Sequence, residues 1–268
     1  MNVNYNQRVW GSSPLTLKIC YLRYPHLLFG LKNLPKNKKI NVLEVGCGGG
    51  VVTKAFKKYR PLWNLTGVDI SKISLKKAKN QPLGVIFSYG DAYKLPFKEN
   101  SWDGVLLTDV LEHLDDPNLA LGEISRVLKK GGFLYLAVPL EGSLLTLHGI
   151  LYKIFKLDLK KIIGHQQHFT KKEVEALLKN NGFRITNSRY SYHLLYQISN
   201  IIYFILLNLL KKDGSFNLEN KLAGKKTISA KIWYAVKSIL AILINCESLL
   251  LKKLPGQTLL LISEKYHC

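Results

Sequence analysis

The chain has 268 residues, of which 47% are apolar, enough to fill a core, so an intrinsically disordered chain is excluded. Its formal net charge is +21, with 20 basic and 10 acidic residues in 1–140 and 19 and 8 in 141–268, so the excess is not a tail effect. Such a surface suits an anionic partner, membrane headgroups or nucleic acid, unless the lysines serve solubility alone. Four scattered cysteines, Cys20, Cys47, Cys246 and Cys268, form no CxxC pair, which indicates neither a zinc site nor a disulfide framework and fits a reducing cytoplasm.

In chain order, residues 1–39 read as irregular, with Pro14, Pro25 and Pro35 as breaks, and 1–17 lack the apolar run of a signal peptide. Strands and helices then alternate. Residues 40–45 read as a buried strand, 46–50 as a glycine loop, 51–59 as a helix and 62–69 as a second strand. Ser71 is placed to cap a helix over 72–80. Strands follow at 85–89 and 104–108. Asp116 and Pro117 open a helix that the pattern carries to Lys130 and stops at Gly131-Gly132, with Lys129 and Lys130 in its last turn. A fifth strand covers 133–138. Thr170 and Glu173 form a capping box, with Phe169 and Val174 as its staple, for a helix ending at Asn181. A sixth strand covers 183–190 and the last 257–263. Alternation of this kind means parallel βαβ units with right-handed crossovers.

Four motifs carry chemistry. ExGxGxG at 44–50 sits between the first strand and first helix, where glycines let backbone approach a ligand. Asp69, about twenty residues on, ends the second strand, where a carboxylate accepts both hydroxyls of a ribose. Asp91 ends the third strand within GDAxxLPF and is placed to accept an adenine amino group. The stretch 102–114 sets polar side chains at the mouth of the fourth strand.

Together these motifs, with RVLKKGG at 126–132 and HFT at 168–170, resemble the class I S-adenosylmethionine (SAM)-dependent methyltransferases. The resemblance covers roughly residues 40–190 and is greatest to the group containing the ubiquinone and menaquinone biosynthesis enzymes. It implies a doubly wound, mostly parallel, seven-stranded Rossmann-like α/β sheet with a helical insertion before the last strand. It also implies SAM as cofactor. Glu44, Gly46, Cys47, Gly48 and Gly50 would flank its methionine part, and Asp69 would bind the ribose. Asp91 and Ala92 would meet the adenine, with Ile70 either packed on that ring or simply in the core. Thr108 and Asp109 would border the sulfonium and the acceptor. An acid in this loop suits SAM, which is cationic and has no phosphate. Residues 1–39 are expected to cap the acceptor site, 40–192 to form the SAM-binding core, 193–256 the insertion, and 257–268 the last strand and terminus.

Methyl transfer from a sulfonium needs a base only for a hydroxyl or acidic carbon. His165 and His168 precede a helix beside the expected acceptor pocket, as a base or as loop-positioning residues. His113 reads as structural. Two histidines at that spacing without further ligands in the sequence indicate no metal site.

Two segments exceed a minimal enzyme of this kind. Residues 143–155 form an apolar stretch placed as a lid. The insertion carries aliphatic residues 194–210, a basic connection 211–231, and a helix over 232–251. On that helix Lys231, Tyr234, Lys237, Ser238, Ala241, Asn245 and Ser248 share one arc. Trp233, Val236, Ile239, Leu240, Leu243, Ile244 and Leu250 share the other, with Glu247 as a misfit. Neither segment reads as a transmembrane span. The apolar face either packs on the domain or on a second copy, or lies in a membrane surface; lysine excess favours the membrane. The expectation is an enzyme at the cytoplasmic face of an anionic membrane with a lipophilic or lipid-linked acceptor. A soluble small-molecule enzyme comes second. An RNA methyltransferase, for which no RNA-binding module is found, and a non-catalytic SAM-binding protein follow.

Overall fold

A computed structural model describes residues 16–80, 82–156, 164–209 and 227–266. Residues 1–15 and most of the 211–231 connection, with Lys211, Lys212, Lys225 and Lys226, lie outside the described residues, as does Cys268. The elements are α1 (Tyr24–Asn33), β1 (Asn41–Val45), α2 (Val51–Tyr59), β2 (Asn64–Asp69), α3 (Lys72–Lys79), β3 (Ile86–Tyr89), β4 (Trp102–Thr108), α4 (Pro117–Val127), β5 (Leu128–Pro139), α5 (Leu147–Lys153), α6 (Lys171–Asn180), β6 (Phe183–Ser191), α7 (Leu194–Leu209), α8 (Ile228–Leu250) and β7 (Thr258–Lys265). They form a seven-stranded sheet of order β3-β2-β1-β4-β5-β7-β6. The first five strands pair in parallel, and β7 runs antiparallel between β5 and β6.

The period-two pattern of the strands divides the core. Leu43, Val45, Val105, Leu107, Leu134 and Leu136 face one side with Leu121 and Ile124 of α4 and Val174 and Leu178 of α6. Val42, Leu106, Tyr135 and Leu260 face the other, against α1, α2 and α3. Because the strand order reverses between β1 and β4, the carboxyl ends of these two strands open the crevice in which such sheets bind ligands.

Local signals hold where the chemistry is specific. The Ser71 hydroxyl accepts from Ser74 N–H. Asp116 caps α4, and both halves of the Thr170–Glu173 capping box are present. Two boundaries need correction. The stretch before β1 contains α1, with Pro25 in its first turn, where the missing N–H costs nothing. And α4 ends at Val127, not Lys130. Leu128 already pairs with Trp102, and the ladder resumes at Gly104–Phe133 after an irregularity. The Gly131-Gly132 pair therefore serves a bulge in β5 rather than a helix stop, since glycine signals both. Lys129 consequently lies on the strand, 2.7 Å from the Asp103 carboxylate.

Candidate active site

The glycine loop leaves β1 with Gly46, Gly48 and Gly50 all at positive φ. A Cβ at Gly46 would collide with Val110, and one at Gly50 with the Phe87 ring, so both geometry and space exclude other residues. Cys47 is buried in this loop. Burial, then the nearby Glu44 and Asp69, push its thiol far above the usual range, so it fills space as a neutral thiol and is no nucleophile.

Asp69 ties the loop to β2. One carboxylate oxygen accepts from Gly48 N–H at 2.7 Å and the other from Ser71 N–H at 2.7 Å. Each oxygen keeps a further lone pair for a ligand hydroxyl. Ile70 beside it is 44% exposed, an apolar surface at the crevice rather than part of the core. Asp91 accepts from Tyr93 N–H at 2.9 Å, which fixes its turn after β3, and Ala92 is buried next to it.

Glu44 is fully buried and accepts from the Thr53 hydroxyl, with Thr108 Oγ1 at 3.5 Å. Burial pushes its carboxyl up to about 8, against the opposing Thr53 bond and Arg23 charge. Asp109, just past β4, has a positive φ of 53° and pairs with Arg23 at 2.7 Å. Burial would raise its carboxyl, but Arg23 and then the nearby histidines overcome this and hold it below the usual range. Sequence reading missed Arg23. It sits just before α1, in a stretch taken as irregular, and reaches the end of β4 only because α1 packs against α2 and β7.

The histidines divide. The ring of His165 meets that of His113 edge-on at 4.7 Å, and its Nδ1 lies 2.8 Å from the buried Glu141 carboxylate. His168 instead stacks flat on Tyr152 of α5, at 4.0 Å. The loop carrying both is clamped. Gln166 and Gln167 N–H donate to Glu112 O, Gly142 N–H donates to Phe169 O, and a Cβ at Gly142 would strike the His168 carbonyl. Glu112, His113 and His165 bring one potential ligand atom each to within 4.8 Å of one another.

These features lie together at the carboxyl ends of the strands: a glycine cradle that side chains would fill, an acid on or just past each of the first three strands, and an exposed apolar side chain after β2. The family described as methyltransferase domain matches residues 43–136. An uncharacterized methyltransferase of Schizosaccharomyces pombe is 40% identical over 114 residues, 38% of this chain and 40% of that protein. A demethylmenaquinone methyltransferase of Staphylococcus aureus is 34% identical over 153 residues, 55% of this chain and 62% of that protein. The chain thus covers less than two thirds of either relative. Among solved structures, a phosphoethanolamine N-methyltransferase of Haemonchus contortus in complex with SAM superposes with a TM-score of 0.57 at 19% identity. It covers 91% of this chain and 53% of that one, a likeness of fold alone. Residues 43–136 thus carry a methyltransferase domain, on a chain similar to SAM-dependent methyltransferases in sequence and fold.

Proposed function

We propose that the protein is a membrane-associated methyltransferase acting on a lipophilic or lipid-linked acceptor at the cytoplasmic face of a membrane. The observation that carries this reading is the orientation of α8. Its Ala241, Asn245 and Ser248 arc is buried against the domain, with Asn245 and Ser248 at 0% exposure. Its apolar residues face outward, with Val236 at 56%, Ile239 at 59% and Leu243 at 52%. Ile244 is the exception and is buried. Packing on the domain therefore leaves most of the apolar face uncovered. Neighbouring α7 exposes Ile198, Ile202, Ile205 and Leu206, so two adjacent helices present aliphatic surface. Residues Lys231–Leu250 have the length and mean hydropathy, 1.4, of a span. The buried Asn245 and Ser248 instead support a helix lying along the surface, with Lys231, Lys252 and Lys253 exposed at its ends.

SAM supplies a methyl group on an activated sulfonium, so positioning is the protein's main task. In this reading Glu44 and the glycines hold the amino-acid end, Asp69 the ribose, and Asp91, Ala92 and Ile70 the adenine. Thr108 and Asp109 border the reacting side. The Arg23–Asp109 pair supports residues 1–39 as a cap over the acceptor. In this reading the apolar stretch around α5 is a lid on the same side, and its exposed Leu144, Leu145, Ile154 and Phe155 are the path of a lipophilic acceptor. The demethylmenaquinone methyltransferase relative adds support for an acceptor of this class.

The test is to incubate the protein with methyl-labelled SAM and either a lipid extract or a soluble extract of the source cell. Label in the organic phase from the lipid extract is expected. Label confined to water-soluble products of the soluble extract would replace this reading with a soluble small-molecule enzyme.

A further inference from the structure

The geometry points to a divalent metal site formed by Glu112, His113 and His165, beside the acceptor end of the SAM crevice. The sequence pairs His165 with His168, but the fold pairs it with His113. Glu112 joins them, so that one ligand atom from each of the three lies within 4.8 Å of the others. Ligand atoms about 2.1 Å from a common ion lie at most about 4.2 Å apart. Three such ligands around one ion are about 3–3.6 Å apart, so closing the site draws the side-chain atoms together by about an ångström.

The hydrogen bonds behind the rings are those a metal site requires. His113 Nδ1 lies 3.0 Å from the Gly164 carbonyl oxygen, which can only accept, so Nδ1 carries the proton and Nε2 the lone pair. His165 Nδ1 lies 2.8 Å from Glu141 Oε2, and the two side chains are 6% and 2% exposed. The same assignment follows for its ring when neutral. A backbone carbonyl and a buried carboxylate behind two imidazoles are the usual outer partners that fix metal-ligating histidines. The scaffold is rigid as well. Gln166 and Gln167 N–H both donate to Glu112 O, which binds the loop of one ligand to the turn carrying the other two.

Two imidazoles and one carboxylate suit a first-row transition ion such as Mn²⁺, Fe²⁺ or Zn²⁺ rather than the all-oxygen sites of Mg²⁺ or Ca²⁺. Three protein ligands leave positions open. In the methyltransferase reading Asp109, whose carboxyl both histidines help to hold low, borders the acceptor on the same side. An acceptor hydroxyl, carboxylate or phosphate oxygen is the ligand the open position takes, and a hydroxyl bound there loses its proton to water more readily. This role rests on the methyltransferase reading; the binding of the ion does not.

Metal-stripped full-length protein titrated with Mn²⁺, with free ion followed by electron paramagnetic resonance, tests the site. Zn²⁺ competition against a chromophoric chelator extends the test. The expected result is one ion per chain. Glu112→Gln and His165→Ala should abolish stoichiometric binding, and Glu141→Gln should weaken it about 10–100-fold, while calorimetry shows unchanged SAM affinity in all three. If a variant fails to fold, Zn²⁺ added to the unsubstituted protein labelled with ¹⁵N-histidine should shift the Nε2 resonances of His113 and His165 more than Nδ1. No ion bound by protein that binds SAM would overturn the site, as would stoichiometric binding that survives Glu112→Gln and His165→Ala. Loss of SAM binding in the unsubstituted protein would count instead against the methyltransferase reading.

Discussion

Glu44 and Asp69 are the two acids nearest the glycine loop, and their environments differ. Glu44 is buried with its carboxyl pushed up to about 8, above its ordinary value of 4.5, so the folded state binds its proton more tightly than the unfolded chain. Its contribution therefore favours the folded, SAM-free protein at low pH and is lost as pH rises through 8. His26 and His113 act oppositely, with burial lowering them to about 3 and about 4. Their contribution is complete above pH 6.5 and is lost only as the solution becomes more acidic. Between pH 6.5 and 8 the Tm of SAM-free protein is thus expected to fall, and Glu44→Gln to flatten that fall. An unchanged slope in the variant would show that Glu44 is already ionised.

Asp69 accepts two backbone N–H groups and, in this account, the ribose as well. Asp69→Ala should weaken SAM binding by about 1–3 kcal/mol in calorimetric titration, the cost of unpaired hydrogen-bonding groups. Unchanged affinity would remove Asp69 from the site. At this scale the strand-end positions of Glu44 and Asp69 were legible because short-range pattern fixes each to its strand. Arg23, Glu141 and the His113–His165 contact were not. Each joins segments far apart in the chain, and no spacing rule reports that.

At the scale of elements, the misfits of the insertion have structural causes. Glu247, out of place on the wheel of α8, accepts from Leu195 N–H in the first turn of α7. Asn245 donates to the carbonyls of Ile19 and Tyr21 and so pins the segment before α1. Gln197, a polar residue in an aliphatic helix, accepts from Leu147 N–H at the start of α5 and donates to Tyr192 O. Gln197→Leu leaves the Leu147 N–H without its acceptor, whereas Tyr192 O keeps the Gln257 N–H. The substitution is expected to cost about 1–3 kcal/mol in urea unfolding and to raise proteolytic nicking around α5. Unfolding and nicking like those of the parent protein would show that α5 is held otherwise. The wheel separated the two faces of α8 correctly, but which face met the domain was not legible. The usual rule buries the apolar side. Here the partners offered by the domain are the backbone carbonyls of Ile19 and Tyr21 and the N–H of Tyr192, which polar residues satisfy.

At the scale of the whole molecule, the proposed function assigns the outward apolar faces of α7 and α8 and the +21 charge to one partner, an anionic bilayer. Burial of apolar surface contributes about 25 cal/mol per Å², and each lysine near the headgroups about 1 kcal/mol. Salt weakens the second contribution far more than the first. The most direct measurement is flotation of the purified protein with liposomes, anionic or neutral, at low and high salt. The account predicts that protein floats with anionic vesicles, that high salt lowers the bound fraction without abolishing it, and that Ile239→Asp with Leu243→Asp removes the residual. Protein that stays in solution with anionic vesicles at low salt would contradict it, and would assign the outward faces to a second copy of the chain.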